Sequence, residues 1–302
     1  KKFFEFIYRE YNSAMFNEVG LVIKDFDNPS KEVVTSVHDL ICILTKHFSK
    51  VSLDQSKSTF ASGLDVSYSD FSSSADLIVV MGGDGTLLGA ARKYHKYDLP
   101  ILGINMGTVG FLTEVTVTNF EEAIVSILKG DYKIEERSLI KATFDNKEIQ
   151  AVNEIVIHSG SYTQLMRYKL NINNKIVYEK RSDGLIISTT TGSTAYALSA
   201  GGPIIHPNLD VWTVLPMLSQ SLSSRPFVIS SDELLSVNIL EGSSKQGKIC
   251  ADGQEDINVS YLSDIQISKI HKPLKLIHLH NNDFFEACRE KLGWSLDISN
   301  PR

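Results

Sequence analysis

Cysteine is scarce. The 302-residue chain has three, Cys42, Cys250 and Cys288, far apart and odd in number. Their spacing matches no zinc motif and offers no disulfide framework, which points to a reducing, cytoplasmic setting. Cys42, between Ile41 and Ile43, reads as core. The eight histidines give no ligand pair at helical spacing, and His278 and His280, alternate residues on one strand face, read as solvated or satisfied rather than metal-bound. Long apolar runs are missing too. No segment reaches the roughly 20 residues that a membrane-spanning helix needs, and Lys1-Lys2-Phe3-Phe4-Glu5 lacks the apolar stretch of a signal peptide. Nor is there an excess of positive charge. The formal net charge is -6 without a polybasic run, so nucleic acid is not expected as a main partner, and neither is a membrane. There is no internal repeat and no low-complexity tract.

What is present is an ordinary globular composition, 42% hydrophobic and 22% charged, enough for one large or two medium domains. The chain is organised around Leu77-Ile78-Val79-Val80-Met81-Gly82-Gly83-Asp84-Gly85-Thr86-Leu87-Leu88. An apolar run ending in glycine reads as a strand buried on both faces of a parallel sheet. Leu87, Leu88, Ala90 and Ala91 then have helical spacing. The glycines can take positive φ and let the backbone approach a ligand where a Cβ would clash. Strand, glycine turn and helix start together offer backbone N–H groups to a phosphate. Asp84 is the anomaly. A carboxylate repels phosphate unless it serves the reaction, as a base for a hydroxyl or through a metal. The alternative is a tight βα turn whose Asp caps the helix.

Strand and helix alternate around that stretch. Residues 19–23 read as a first strand and 31–48 as a helix, started by Asn28-Pro29-Ser30 and striped with Val33, Val34, Val37, Leu40, Ile41 and Leu44. Residues 51–53 read as a short strand, 56–74 as an exposed loop or weak element, 101–105 as a buried strand, and 119–129 as a helix stopped by Gly130. Repeated βα units predict a doubly wound α/β fold with ligands at the C-terminal ends of the strands. The pattern changes near Tyr132. Short strands are expected at 140–144, 153–157, 168–172, 175–178 and 185–188, with Asp145-Asn146 and Asn173-Asn174 as hairpin turns. More follow at 227–229, 234–240, 248–251, 257–259, 264–270 and 274–277, giving an all-β, sandwich-like second domain. Residues 282–293 turn helical, with Phe284, Phe285, Cys288 and Leu292 on one side, and are expected to return to the first domain. The expected domains are 1–135 completed by a helix within 281–302, and 136–280.

Several polar clusters interrupt these elements. Asn153-Glu154 opens the apolar strand Ile155-Val156-Ile157, either as a strand-end turn or as an amide and a carboxylate converging on sugar hydroxyls. Arg181-Ser182-Asp183-Gly184 is either a local ion pair or a place where Asp183 binds a polar ligand edge. Thr189-Thr190-Thr191-Gly192-Ser193-Thr194-Ala195-Tyr196 surrounds a glycine with hydroxyls ahead of a helix start, which suits a polar ligand, with Tyr196 to stack or hydrogen-bond. A capping loop without a ligand is the other reading. Ala251-Asp252-Gly253-Gln254 reads as a β-turn.

In order, these blocks resemble the bacterial-type NAD kinase family. The resemblance rests on GGDGT at 82–86, Gly103-Ile104-Asn105 through Gly110-Phe111-Leu112, Asn153-Glu154, Arg181 to Leu185, TTGSTAY at 190–196, Gly201-Gly202-Pro203-Ile204, Ser223-Ser224-Arg225-Pro226 and Leu292-Gly293-Trp294. GGDGT by itself is equally similar to lipid kinases. The resemblance implies transfer of the γ-phosphoryl of ATP, with Mg²⁺ or another divalent cation held mainly by the ATP phosphates, to the 2′-hydroxyl of the adenosine ribose of NAD. It implies Asp84 at the catalytic position, to accept the 2′-hydroxyl proton or to orient that hydroxyl for in-line attack, and Gly82, Gly83, Gly85 and Thr86 around the ATP phosphates. For NAD it implies Asp84, Gly85, Phe111, Asn153, Glu154, Gln164, Arg181, Asp183, Thr194, Ala195, Tyr196, Ser199 and Gln254. A cytoplasmic homo-oligomer, dimer or tetramer, is implied as well, with NADP(H) as product and inhibitor. Two features depart from expectation. Gln220 stands where the family usually has histidine. The GxGxxG fingerprint with its distal acid is absent, so NAD is not expected to bind in the dehydrogenase manner.

Overall fold

Strands with no polar face form the centre of the first of two units, which consists of Lys1–Glu136 and Lys275–Arg302; the second is Arg137–Leu274. The computed structural model describes residues 16–107, 110–160, 165–221, 223–240, 246–260, 262–279 and 283–294. The first unit contains β1 (Glu18–Ile23), α1 (Lys31–His47), β2 (Lys50–Leu53), β3 (Ser67–Tyr68), β4 (Leu77–Gly82), α2 (Asp84–Tyr94), β5 (Ile101–Asn105), β6 (Val115–Thr116) and α3 (Phe120–Leu128). Every residue of β4 and β5 is buried, as a parallel sheet covered on both faces requires. The strands run parallel in the order β3-β2-β1-β4-β5. The order reverses between β1 and β4, which opens a crevice beyond the C-terminal ends of these strands.

Helix α1 starts where Ser30 accepts a hydrogen bond from Val33 N at 3.3 Å, a side-chain cap for an otherwise unpaired donor. Its buried Val37, Leu40, Ile41 and Leu44 join Leu77, Val79 and Met81 of β4 and Ile124 and Ile127 of α3 in one core. Cys42 is half-buried at the margin of this stripe, not in the core, with Sγ 3.6 Å from His38 Nδ1. The serine-rich stretch is anchored rather than loose. Gln55–Ala61 forms a 3-10 turn, and Phe60 and Phe71 are buried. Phe71 stacks on Tyr94 at 5.2 Å and lies over Gly20, where a Cβ would meet its ring at 2.1 Å.

The chain reaches the second unit along β7 (Lys133–Phe144). There follow β8 (Lys147–Ala151), β9 (Glu154–His158), β10 (Met166–Ile172), β11 (Lys175–Ser182), β12 (Gly184–Ser188), a four-residue helix α4 (Tyr196–Ser199), β13 (Val211–Met217), β14 (Phe227–Ser230), β15 (Leu235–Ile239), β16 (Gln246–Ala251), β17 (Glu255–Ser260) and β18 (Asp264–His278). One antiparallel sheet has the order β14-β13-β12-β9-β16-β17, and β11-β10-β15-β18 pair in the other. Ile155, Leu185 and Trp212 of the first sheet share a core with Tyr168, Val237 and Ile265 of the second. This is a sandwich. Asp145-Asn146 and Asn173-Asn174 all have positive φ, between 47° and 64°, as two-residue hairpin turns demand.

Pro273 did not divide the last strand. Residues 264–278 form one strand of 15 residues, because a proline removes a single donor and can sit in a strand where that donor has no ladder partner. Strand β13 had no counterpart in the sequence reading, its alternation being obscured by Pro216, which faces Leu185 in register. From Lys275 the chain lies in the first unit, where Leu276 pairs in parallel with Ile101. Helix α5 (Phe284–Leu292) follows, capped by Asp283 and ended by Gly293 at φ 62°. Cys288 is its fully buried side chain, while Phe285 is exposed and stacks on Trp294 at 6.4 Å.

Candidate active site

Strand β4 delivers Gly82 and Gly83 to the crevice of the first unit, and α2 begins at Asp84. None of Gly82, Gly83 and Gly85 uses the positive φ open to glycine. At Gly82 what counts is space. A Cβ on Gly82 would meet Thr86 Oγ1 at 2.4 Å, whereas one on Gly83 would project into open space. Gly83 caps α2 without a side-chain hydrogen bond, so no capping group stands between the helix start and an anion. The adjoining cavity measures about 890 Å³. It is lined by Gly83, Gly85 and Thr86 and by three lysines, Lys24, Lys57 and Lys93, with Asp25, Asp54 and Asp70 among them. The lysines escaped the sequence reading because they lie on separate elements.

Asp84 does not cap its helix. Its Oδ2 accepts from Phe111 N at 2.7 Å, and its Oδ1 accepts from Leu112 N at 3.2 Å and from Thr113 Oγ1 at 2.9 Å. Thr113, fully buried, accepts in turn from Asn105 Nδ2 at 2.8 Å, and Asn105 Oδ1 accepts from Gly107 N at 2.6 Å. The ends of β4 and β5 are thereby tied through one carboxylate. Gly110 makes the approach possible, since a Cβ there would lie 1.9 Å from Asp84 Oδ1. A carboxylate has about four acceptor sites, so three filled ones leave room for a further hydroxyl.

The second unit has its own cavity, of about 660 Å³, lined in part by Asn153, Glu154, His158, Asp183, Tyr196 and Asp252. Its floor depends on the turn between β16 and β17, where Asp252 and Gly253 have φ of 51° and 66°. That conformation aims the Asp252 carboxylate inward. It accepts from Val152 N at 3.1 Å, Asn153 N at 2.7 Å and Glu154 N at 3.3 Å. Glu154 is buried beside it. Burial, and secondarily the Asp252 charge, push the Glu154 carboxyl up to about 8, so it is largely neutral at pH 7. Glu154 Oε2 and Asn153 Oδ1 are buried without a hydrogen-bond partner, a cost that a polar ligand can remove. Burial also lowers the His158 imidazole below its usual value and pushes the Cys250 thiol up to about 11, so both are neutral groups at pH 7.

The hydroxyl-rich run departs from expectation. Thr189, Thr190, Thr191 and Ser193 are buried, and their hydroxyls serve the fold. Thr189 Oγ1 donates to Val152 O at 2.6 Å, and Ser193 Oγ donates to Thr190 O at 2.7 Å and accepts from Ile205 N at 3.1 Å. Thr194 Oγ1 reaches back to Thr191 O at 3.4 Å. What the run presents to the cavity is Ala195 and the exposed Tyr196. Arg181, Thr194, Ser199 and Gln254 are not among the cavity's lining residues, and Gln164 lies outside the described residues. His278, expected to be solvated or satisfied, is buried and paired with Glu135 at 2.9 Å and Glu114 at 3.4 Å. His280 lies outside the described residues.

Comparison with known proteins decides the family. Residues 30–132 match the ATP-NAD kinase N-terminal domain and residues 152–279 the ATP-NAD kinase C-terminal domain. The NAD kinase of Teredinibacter turnerae is 39% identical over 94% of this chain and 99% of its own length, and that of Marinomonas sp. is 37% identical over 93% and 98%. The chain belongs to the NAD kinase family. Its reaction is the ATP-dependent phosphorylation of NAD. In fold it is similar to a yeast NADH kinase solved with NADH, at a TM-score of 0.84 and 21% identity over 95% of this chain and 90% of that one. It is similar also to an Archaeoglobus fulgidus NAD kinase solved with ATP, at 0.69 and 24% over 91% and 97%.

Among the described residues no group of three or more His, Cys, Asp or Glu side chains is placed to hold a metal ion. No helix among the described residues is long and apolar enough to cross a membrane. Asp252, Thr113, Asn105 and Lys291 were not foreseen as parts of these sites. Asp252 had a legible signal, an Asp-Gly turn, but the direction of its side chain was not legible.

Proposed function

We propose that the enzyme transfers the γ-phosphoryl of ATP to the 2′-hydroxyl of the adenosine ribose of NAD, giving NADP and ADP, with Asp84 as the base. The ribose oxygen forms a bond to the γ-phosphorus while the bond from that phosphorus to the β–γ bridging oxygen breaks. The hydroxyl proton goes to Asp84 and the electron pair to ADP. Such a transfer needs alignment and charge neutralisation more than covalent help. The observation that carries this reading is the Asp84 carboxylate, fixed by three hydrogen bonds beside the glycine turn with acceptor capacity to spare.

In this reading Gly82, Gly83, Gly85 and Thr86, at the start of α2, surround the ATP phosphates, with the Thr86 N–H itself donating to Gly83 O at 3.0 Å. Lys24 and Lys93 line the same cavity and can face the phosphates, whereas Lys57 is paired with Asp25. A divalent cation such as Mg²⁺, bound to the phosphates, neutralises charge. Asn153 and Glu154 bind the adenosine of NAD, and the neutral Glu154 carboxyl can donate as well as accept. Asp183, Ala195 and Tyr196 bind elsewhere on the dinucleotide, and Phe111 lies against one of its rings. Arg181, Thr194, Ser199, Gln164 and Gln254 are assigned to NAD by family resemblance. The enzyme is further proposed to be a cytoplasmic homo-oligomer, dimer or tetramer, inhibited by NADP(H).

The test is to incubate purified enzyme with NAD, ATP and Mg²⁺ and read NADP with an NADP-specific dehydrogenase. NADP that forms only with all three, and stops on chelation of the metal, supports the reading. NADP formed equally well with excess chelator removes the metal from it. Sedimentation velocity with and without NADPH tests the assembly: a monomer throughout contradicts the oligomer.

A further inference from the structure

The C-terminal helix touches the loop that holds Asp84. Lys291, near the end of α5, donates from Nζ to Gly110 O and lies 5.0 Å from the centroid of the Phe111 ring. Gly110 is the residue whose Cβ position Asp84 occupies, and Phe111 N donates to Asp84 Oδ2. The far end of the same loop is held from the same C-terminal segment. Glu114 Oε1 accepts from Leu279 N at 2.6 Å, and Glu114 Oε2 lies 3.4 Å from His278 Nδ1. Helix and strand together brace residues 110–114 at both ends, between them the donors to Asp84.

Lys291 is more than a surface contact. It is half-buried, and burial holds its ammonium below the ordinary lysine value, while the Asp84 and Glu114 charges act in the opposite direction. A desolvated cation is costly unless it is compensated. Here a carbonyl, an aromatic face and two carboxylates provide the compensation. A hydrophobic residue would cover Phe111 equally well, so packing does not explain an ammonium at this point.

We propose that Lys291 is a positioning residue for the phosphoryl transfer: by fixing Gly110 and Phe111 it sets where the Asp84 carboxylate meets the substrate hydroxyl. The assignment rests on Asp84 being the base. Removal of the ammonium frees the Gly110 carbonyl and loosens Phe111, and the hydrogen bonds that orient Asp84 loosen with them. Misplacement by about an ångström near the reacting atoms costs on the order of 100-fold in rate.

The experiment compares Lys291→Met, Lys291→Arg and Asp84→Asn with the wild-type enzyme, measuring kcat, KM for NAD and for ATP, and Tm. Lys291→Met is expected to lose about 10- to 100-fold in kcat with both KM values within about threefold. Its Tm should stay near that of the wild type. Lys291→Arg, which keeps a donor and stacks on an aromatic face, should recover most of the loss. A kcat of Lys291→Met within twofold of wild type, with Asp84→Asn inactive, overturns the role of Lys291 alone. Parallel loss of kcat and Tm that arginine does not restore overturns it too, because that marks general destabilisation. Wild-type turnover in Asp84→Asn overturns the base assignment and with it this role.

Discussion

Gly110→Ala adds one methyl group at the point where the account is tightest. The new Cβ would stand 1.9 Å from Asp84 Oδ1, 2.3 Å from its Cγ and 2.5 Å from its Oδ2. Ordinary contact begins near 3.4 Å, so the carboxylate or the loop must move by more than an ångström. Gly110 has no positive φ, so the backbone itself tolerates alanine and the cost is contact alone. If the carboxylate moves, its bonds to Phe111 N, Leu112 N and Thr113 Oγ1 weaken together. Hydrogen bonds to a charged group contribute about 1.5–3 kcal/mol each, and partial loss of three is expected to cost about 2–4 kcal/mol of stability. For a unit of this size about 1 kcal/mol corresponds to roughly 2–4 °C in Tm. The larger effect falls on turnover. Displacement on this scale predicts a loss of about 100-fold or more in kcat, against a much smaller change in the KM for NAD. Initial rates of NADP formation at saturating ATP and Mg²⁺, with a thermal melt on the same sample, measure both quantities. A variant that melts like wild type and turns over within threefold of it would refute the reasoning, since it would mean that Asp84 can move freely without consequence.

Two further outcomes concern the second unit. The Glu154 carboxyl, raised from 4.5 to about 8 by burial and then by Asp252, stabilises the fold fully below its unfolded pKa and loses that contribution as pH rises through about 8. Glu154→Gln should therefore gain Tm relative to wild type as pH rises from about 5 to about 8, at up to about 1.4 kcal/mol per pH unit, and gain no more above that; a difference independent of pH over this range contradicts it. Asp252→Ala leaves the backbone donors of Val152, Asn153 and Glu154 without their acceptor, at about 1–3 kcal/mol for each that water cannot reach. It should lower Tm by several degrees and raise the KM for NAD more than it lowers kcat, whereas Asp252→Asn, which keeps an acceptor, should fall between; an alanine variant with unchanged KM and Tm contradicts this.

Much of the fold was legible because its signals are local. The unbroken apolar runs of β4 and β5 declared strands buried on both faces, and the Asp145-Asn146 and Asn173-Asn174 pairs declared hairpins that their positive φ values require. Where a proline sat inside a strand, at Pro216 and Pro273, the local rule misled, because ladder partners decide whether a missing donor matters. The glycines of 82–85 were legible as a place of close approach, but not by which property, and the structure uses the lack of bulk at Gly82 and no positive φ at any of them. The hydroxyls of 189–194 suit a ligand-facing loop as well as a capping loop by sequence alone. Most turn inward because a buried loop must satisfy its own carbonyls and amides, a demand no sequence window displays. The supports of Asp84 were hidden for a related reason. Thr113 on the carboxylate, Asn105 behind Thr113 and Lys291 on Gly110 O lie far from Asp84 in sequence, and three-dimensional folding alone brings them around it.

The proposed role of the Asp84 carboxylate is to take the proton of the attacking hydroxyl. Single-turnover rates of Asp84→Asn with NAD, ATP and Mg²⁺, alongside the rise in Tm that NAD produces, test it most directly. A loss of several orders of magnitude in NADP formation is expected, while NAD still raises Tm as it does for the wild type. An Asp84→Asn enzyme that forms NADP at the wild-type rate would contradict it.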